Sequence, residues 1–268
     1  MGRGLAVHPL PPHPVQPGEV HMGLLGETVG QTVGALLSPQ FRAISGLRHA
    51  RAVHAEGICL QAEVVPVRTD PPFLAVASRL AGPALVRLST ATWRGGREWP
   101  DILGASVRFR RDTRLTEEAS PGDQDILFAT LRHVWTLAPA FLTTRVHDWL
   151  QNDYYGLAPF TVQGLGKTKL RLTSQRGPRR YGSRVARLRD AMHGGKALLT
   201  FEALPLEHGL PRTWTPLADI VLREEVVLDP ARLRFNPFRD GLGIRPRGFL
   251  HAMRLPVYRQ SQKGRVEH

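Results

Sequence analysis

The sequence predicts an α+β protein built on an antiparallel β-barrel or sandwich with flanking helices. Two observations predict this class. Segments with strand character outnumber those with helical character, and strands and helices do not alternate as they do in a doubly wound parallel sheet. No internal repeat is visible along the chain.

Six segments have strand character, because apolar and polar residues alternate in them or form short apolar runs. They are 58–65, 84–90, 103–110, 125–130, 197–203 and 218–228. Within 84–90, the alternation places Leu85, Arg87 and Ser89 on one face and the apolar residues between them on the other. This strand therefore offers polar side chains on the face opposite its apolar one.

Four segments are predicted to be helical. Apolar spacing favours helices over 25–36 and 137–151. A third runs from Ser183 to His193 and ends at a glycine pair, and a fourth lies around 247–265. Residues 1–20 contain a cluster of prolines, which predicts a flexible, extended Pro/His-rich arm.

Composition narrows the class of protein. A chain of 268 residues that is 42% hydrophobic can bury a core. The single cysteine, Cys59, excludes a disulfide scaffold and a Cys-x-x-Cys zinc pair. No apolar run approaches the roughly 20 residues of a membrane span, and the proline-rich start lacks the apolar core of a signal peptide. We therefore expect a cytoplasmic protein with no membrane span.

The net charge of +13 comes almost entirely from arginine. Nucleic-acid-binding proteins usually concentrate such charge in a run or along one helix face. Here the densest stretches, 108–114 and 176–189, are short and interrupted. We therefore expect no nucleic-acid partner.

Two places in the sequence carry candidate catalytic or cofactor-binding residues. One is the stretch RAVHAEG (51–57), which directly precedes a strand, together with Arg87 and Ser89 on the next strand. The other is the pair Arg254 and Tyr258, which share a face if they lie on one helix. A guanidinium there favours the phenolate and lowers the pKa of the tyrosine. A phenolate is a known axial ligand of haem iron.

At these residues the sequence resembles the haem catalase superfamily in its short, catalase-like form. RAVHAEG looks like the distal histidine motif, VRLST (86–90) like the following strand, and RLPVY (254–258) like the proximal R-x-x-x-Y. Arg265 stands seven residues beyond the tyrosine. The resemblance covers residues 45–265 and implies a catalase-like antiparallel β-barrel in a single haem-binding domain, residues 21–268.

The resemblance also implies roles for individual residues and haem b as the cofactor. Tyr258 would be the iron ligand, kept anionic by Arg254, with His251 as the rival ligand. His54 would be the distal acid–base group, and Ser89 would orient it. The remaining implied contacts are Val53 at the channel, Phe128 on the distal side, and Arg51, Arg87 and Arg265 at the haem propionates, which arginine suits through charge-assisted bonds.

Three departures from the family pattern stand out. The nearest counterpart of the distal asparagine is Asp123, so we expect weak dismutation of hydrogen peroxide at most. Pro256 lies between Arg254 and Tyr258, where it would begin or kink a helix. The chain also lacks the long wrapping and C-terminal segments of large catalases.

The sequence thus predicts a haem peroxidase or peroxygenase. It would use hydrogen peroxide or an organic hydroperoxide to oxidise an unidentified small organic co-substrate. One alternative is a haem enzyme that rearranges or dehydrates a bound fatty-acid hydroperoxide or N–O compound. Another is a haem-binding module without catalysis. A homo-oligomer is compatible with the sequence.

Overall fold

The computed structural model describes residues 56–114, 116–133, 137–177 and 181–247. These ranges contain three α-helices: α1 (Pro71–Leu80), α2 (Leu137–Thr143) and α3 (Arg184–His193). The strands are β1 (Glu56–Pro66), β2 (Gly82–Thr90), β3 (Leu103–Phe109), β4 (Gln124–Ala129), β5 (Tyr154–Tyr155), β6 (Phe160–Val162), β7 (Gly166–Ser174), β8 (Leu198–Pro205), β9 (Thr215–Val226) and β10 (Ile244–Pro246).

Eight of the strands close into an antiparallel barrel, as the sequence predicts. The order is β7-β5-β4-β3-β2-β1-β9-β8, and the pairing of β8 with β7 closes the circle. The short strands β6 and β10 extend the sheet beside β7. Closure leaves the barrel strands without a free edge in their paired parts.

Alternation along the strands separates the barrel interior from its outer face. In β2, Ala84, Val86 and Leu88 are fully buried in the main core. Leu85 instead joins a second apolar cluster with Leu233 and Phe235. The predicted two-faced character of this strand is therefore confirmed, and all six predicted strands lie within or overlap β1, β2, β3, β4, β8 and β9.

The predicted helix over 137–151 is wrong in its second half. Helix α2 ends at Thr143, and only a 3-10 turn at Trp149–Gln151 follows. The hydroxyls of Thr143 and Thr144 donate to the carbonyl oxygens of Pro139 and Ala140. Asp148 then adopts an extended backbone and accepts from the Leu150 N–H. Local side-chain bonds of this kind compete with a continuous helix.

Helix α3 begins and ends where the sequence predicts. The Ser183 hydroxyl accepts a hydrogen bond from the Ala186 N–H, which is a typical N-cap. At the other end, Gly195 takes the left-handed conformation at φ 65°, which glycine adopts without strain. Both ends of the helix therefore have their expected residues.

The predicted arm over 1–20, the helix over 25–36 and the helix around 247–265 lie outside the described residues. None of the helices in the described ranges is long and apolar enough to cross a membrane.

Candidate functional site

The outer face of β1 to β4 forms cross-strand rows, because the strand register sets side chains opposite one another. Reading from β1 to β4, the first row is Gly57, Ser89, Gly104 and Ala129, and the second is Cys59, Arg87, Ser106 and Leu127. The third is Gln61, Leu85, Arg108 and Asp125. We call the first the small-residue row. No side chain in it is larger than that of serine. Ala129 packs against Ala140 of α2, so the helix covers the β4 end of the row, and the backbones of β1 to β3 form the flat area.

Close packing explains the glycine at the β1 end of the small-residue row. A Cβ atom on Gly57 would lie 2.4 Å from the Leu88 carbonyl oxygen and 2.9 Å from Ser89 Cβ. It would also lie 3.0 Å from Nη2 of Arg87. The guanidinium of Arg87 therefore lies beside Gly57, next to the flat area.

Arg87 and Ser89 are both held in the interior of the protein. Arg87 is 5% exposed and Ser89 is 2% exposed. The Ser89 hydroxyl lies 3.4 Å from the carbonyl oxygen of Gly104. A buried cation beside a flat area of small residues fits a planar group that carries carboxylates, which is the shape and charge of haem. The described part of the site therefore suits the cofactor that the resemblance implies.

A segment near the C-terminal end of the described chain covers the third row. Phe235 packs against Leu85, and the guanidinium of Arg108 lies 5.0 Å from the centre of its ring. Leu233 belongs to the same apolar cluster. This segment, 228–239, therefore closes the outer face on the side away from the small-residue row.

Asp125 fixes that segment to the barrel. Its Oδ1 accepts from Nε of Arg108 at 2.8 Å, and its Oδ2 accepts from Nη2 of Arg108 at 3.1 Å. Oδ2 also accepts from the Asn236 N–H at 2.8 Å and from Nε of Arg239 at 3.3 Å. Arg108 and Asp125 are fully buried. Two strands and the covering segment thus meet at one buried carboxylate.

The structure separates Asp123 from Ser89, contrary to the predicted distal role of the aspartate. Ala129, at the far end of β4, is the residue in line with Ser89. Asp123 precedes β4 at the opposite end, about 20 Å away at the rise of a β-strand. There it pairs with buried Arg110 at 3.8 Å and accepts from the Ser120 N–H.

Phe128 also points away from the small-residue row. Its ring packs inside the barrel, with its centre 6.1 Å from that of Phe201. Leu127 is the neighbour that faces outward, in the row of Arg87. Phe128 and Leu127 face opposite sides of β4, because successive side chains of a strand alternate between its faces, and the distal-side position of Phe128 stays a prediction.

The other predicted site residues lie outside the described ranges. They are Arg51, Val53, His54, Arg254, Tyr258 and Arg265, together with the rival ligand His251.

Tyr154, a tyrosine within the described ranges, is fully buried and donates to the Trp149 carbonyl oxygen at 2.8 Å. Burial raises its pKa well above the usual value, and the nearby Asp148 charge adds to this. Tyr154 is therefore a neutral phenol and not a candidate phenolate ligand.

Two members of the small-residue row, Gly104 and Ala129, were not singled out from the sequence. A glycine within a strand pattern often marks the close approach of a ligand or another backbone, and Gly104 carries that signal. Ala129 carries no such signal.

Within the described ranges, no group of three or more His, Cys, Asp or Glu side chains could hold a metal ion.

Comparison with known proteins supports the fold. No family model matches the sequence, and no curated protein matches it. Among solved structures, the chain is similar to catalase A from Saccharomyces cerevisiae, with a TM-score of 0.57 and 13% sequence identity. The match covers 81% of this chain and 61% of the yeast protein, so the chain spans about three fifths of its length. The chain has a catalase-like β-barrel fold.

Proposed function

We propose that this chain is a haem-dependent oxidoreductase that uses hydrogen peroxide or an organic hydroperoxide. The observation that carries the proposal is the buried Arg87 beside the small-residue row, on a barrel of the catalase type. Arginine bonds carboxylates through charge-assisted, bidentate hydrogen bonds, and the haem propionates are carboxylates.

Haem b would lie on the outer face of β1 to β4, with its iron bound by Tyr258. Arg254 would keep that tyrosine anionic, and Arg51 and Arg265 would join Arg87 at the propionates. Val53 would border the channel. Bound haem supplies the iron centre at which the oxygen–oxygen bond of a peroxide is cleaved.

His54 would move the proton during cleavage. It would accept a proton from one peroxide oxygen and return it to the leaving oxygen, which is general acid–base catalysis. Ser89 would orient the imidazole through its other ring nitrogen. The short interval between His54 and the start of β1 at Glu56 supports this assignment, because Gly57 stands directly opposite Ser89.

Weak dismutation follows from the composition of the small-residue row. Ser89 is the only member of the row whose side chain can donate a hydrogen bond. Ala129, in line with it, has no polar atom in its side chain. This row therefore offers no side-chain amide to hold a second peroxide beside the histidine, which favours oxidation of an organic co-substrate.

The experiment compares two activities of the haem-loaded full chain. Oxygen release from hydrogen peroxide is measured beside consumption of an organic hydroperoxide in the presence of a phenolic reductant. We expect the second to dominate. Rapid oxygen release would contradict the proposed preference. Hydroperoxide loss that is independent of reductant would favour the rearranging or dehydrating enzyme.

A second arm tests the residue that carries the proposal. Arg87→Met keeps the volume of the side chain and removes its charge, and it should weaken haem binding by about tenfold or more. Arg189→Met is the matched control, because that arginine is exposed and pairs with Glu225 on the surface. Equal haem affinity of the two variants would refute the role of Arg87.

A further inference from the structure

A pocket lies between the turn after α2 and helix α3, beside the end of β4, where the hydroxyls of Thr144 and Thr130 are 2.9 Å apart. Its volume is about 580 Å³, and it is lined by residues 144–148, Gln151 and Arg187. This size is within the range of about 300–1,000 Å³ that is typical of small-molecule sites. We call it the cationic pocket, because Arg145 and Arg187 contribute to its lining, together with His147.

The two arginines of the cationic pocket bond to neutral groups. Nη1 of Arg145 donates to Oε1 of Gln151 at 3.1 Å, and Nη1 of Arg187 donates to the His147 carbonyl oxygen at 2.6 Å. Among the described residues, neither arginine forms an ion pair. Both positive charges therefore remain available to an anion.

Arg187 also has a hydrogen-bond donor that lacks an acceptor. Its Nε is buried and, within the described part of the chain, makes no hydrogen bond. An unsatisfied buried donor is costly, and a charged one more so. Arg187 therefore lines the pocket with hydrogen-bonding capacity that no described residue uses.

The imidazole of His147 is held with one nitrogen engaged. Its Nδ1 lies 2.7 Å from Oε2 of Glu98, and the other oxygen of Glu98 accepts from the Arg184 N–H at the start of α3. With Nδ1 bonded to the carboxylate, Nε2 is left for a ligand, and the side chain is 62% exposed. The bond to Glu98 thus holds the His147 imidazole in place beside the two guanidiniums.

The one carboxylate in the lining is already engaged. Asp148 is 6% exposed, and its Oδ1 accepts from the Leu150 N–H at 2.9 Å, where it caps the 3-10 turn. Its charge lies beneath the pocket surface. The charged groups that the lining exposes are therefore the guanidiniums of Arg145 and Arg187.

We propose that the cationic pocket binds a small molecule that carries a phosphate monoester. Two guanidiniums provide several donors for phosphate oxygens, and arginine bonds phosphate in bidentate geometry. The imidazole adds Nε2, which donates to a phosphate oxygen in the imidazolium form. The volume leaves room for an organic group attached to the phosphate. This site uses none of the residues assigned to haem, so it stands apart from the oxidoreductase function.

The test is calorimetric titration of the full chain with phenyl phosphate and, separately, with inorganic phosphate, at constant ionic strength in chloride buffer. We expect one phenyl phosphate per chain and competition between the two ligands. Arg145→Gln and Arg187→Gln should each lower the affinity by about tenfold or more. Arg189→Gln, on the same helix but paired with Glu225, should leave it unchanged.

The proposal is overturned if the wild-type chain shows no saturable binding, or if Arg189→Gln weakens binding as much as the two pocket variants do. Thermal unfolding of each variant checks that it folds. If Arg187→Gln does not fold, Arg145→Gln and His147→Gln decide, because both side chains are exposed. Affinity unchanged in those two variants would then refute the site.

Discussion

The buried carboxylate of Asp125 gives a quantitative test of how the covering segment is held to the barrel. Asp125→Asn keeps the size of the side chain and removes its charge. Oδ1 and Oδ2 together accept four hydrogen bonds, from two nitrogens of Arg108, the Asn236 N–H and Arg239. Whichever way the amide turns, its NH₂ group faces at least one N–H of Arg108.

The expected loss is about 3–5 kcal/mol in the free energy of unfolding, the typical cost of removing one partner of a buried ion pair. Arg108 keeps its bonds to the carbonyl oxygens of Glu117 and Arg234, but these do not neutralise its charge. Urea unfolding followed by circular dichroism measures the difference.

The matched control is Glu63→Gln. Glu63 pairs with Arg223 at 2.6 Å, but both side chains are more than half exposed, so the change should cost at most about 1 kcal/mol. If Asp125→Asn costs no more than this control, the reasoning that a buried charge holds the segment in place is refuted.

Three further outcomes follow from the structure. Gly57→Ala should destabilise the protein by about 1–3 kcal/mol in urea unfolding, because the new Cβ would meet the Leu88 carbonyl oxygen at 2.4 Å; an unchanged midpoint would contradict the close approach. Ser183→Ala should cost about 1 kcal/mol by the same assay, since it removes the N-cap of α3; wild-type stability would show that the cap is dispensable. Burial raises the pKa of Glu98, but bonds from the Arg184 N–H and His147 outweigh it and lower the pKa below 4.5. The carboxylate therefore stabilises the fold above pH 4.5 and loses this effect as the pH falls through its lowered pKa. Glu98→Gln should flatten that acid loss in thermal unfolding curves, and an unaltered pH profile would exclude the contribution.

Much of the barrel could be predicted because its strands alternate between a buried and an outer face. In β2 this pattern placed Arg87 and Ser89 together on one face, which the structure shows to be the outer face. Strand β7 was missed, since only Leu170 and Leu172 are apolar in GKTKLRLTS. Its burial comes from pairing with β8, which local sequence does not reveal.

Helices were harder to predict, because short-range patterns do not reveal side-chain bonds. Helix α1 begins with two prolines, which read as a break but suit the first turn of a helix. The region 137–151 has helical spacing, yet the threonine and Asp148 side chains bond to the backbone and end the helix early. Tertiary packing and local polar bonds decide both cases.

The candidate site was predictable where it depends on one strand and not where it depends on register. Arg87 and Ser89 share a face by alternation alone. Asp123 is the nearest counterpart of the distal asparagine by its position in the chain, whereas the pairings of β2, β3 and β4 bring Ala129 into line with Ser89. A one-residue change of register exchanges the faces of a strand, so a sequence match alone does not fix which residue of β4 faces the site.

Some of the excess basic residues lie in the interior of the protein. Arg108, Arg110 and Arg184 are at most 4% exposed. Arg108 and Arg110 form ion pairs with aspartates, and Arg184 donates to the Val146 carbonyl oxygen. Both arginine-rich stretches of the sequence, 108–114 and 176–189, thus contribute buried arginines to the interior.

The absorption spectrum of the full chain, purified with haem supplied, tests the central claim most directly. We expect a Soret band from one haem per chain, a shift of that band on adding peroxide, and an altered spectrum in Tyr258→Phe. A chain that folds but shows no Soret band would contradict the haem-dependent function. A band unchanged by Tyr258→Phe would refute Tyr258 as the iron ligand and make His251 the next residue to test.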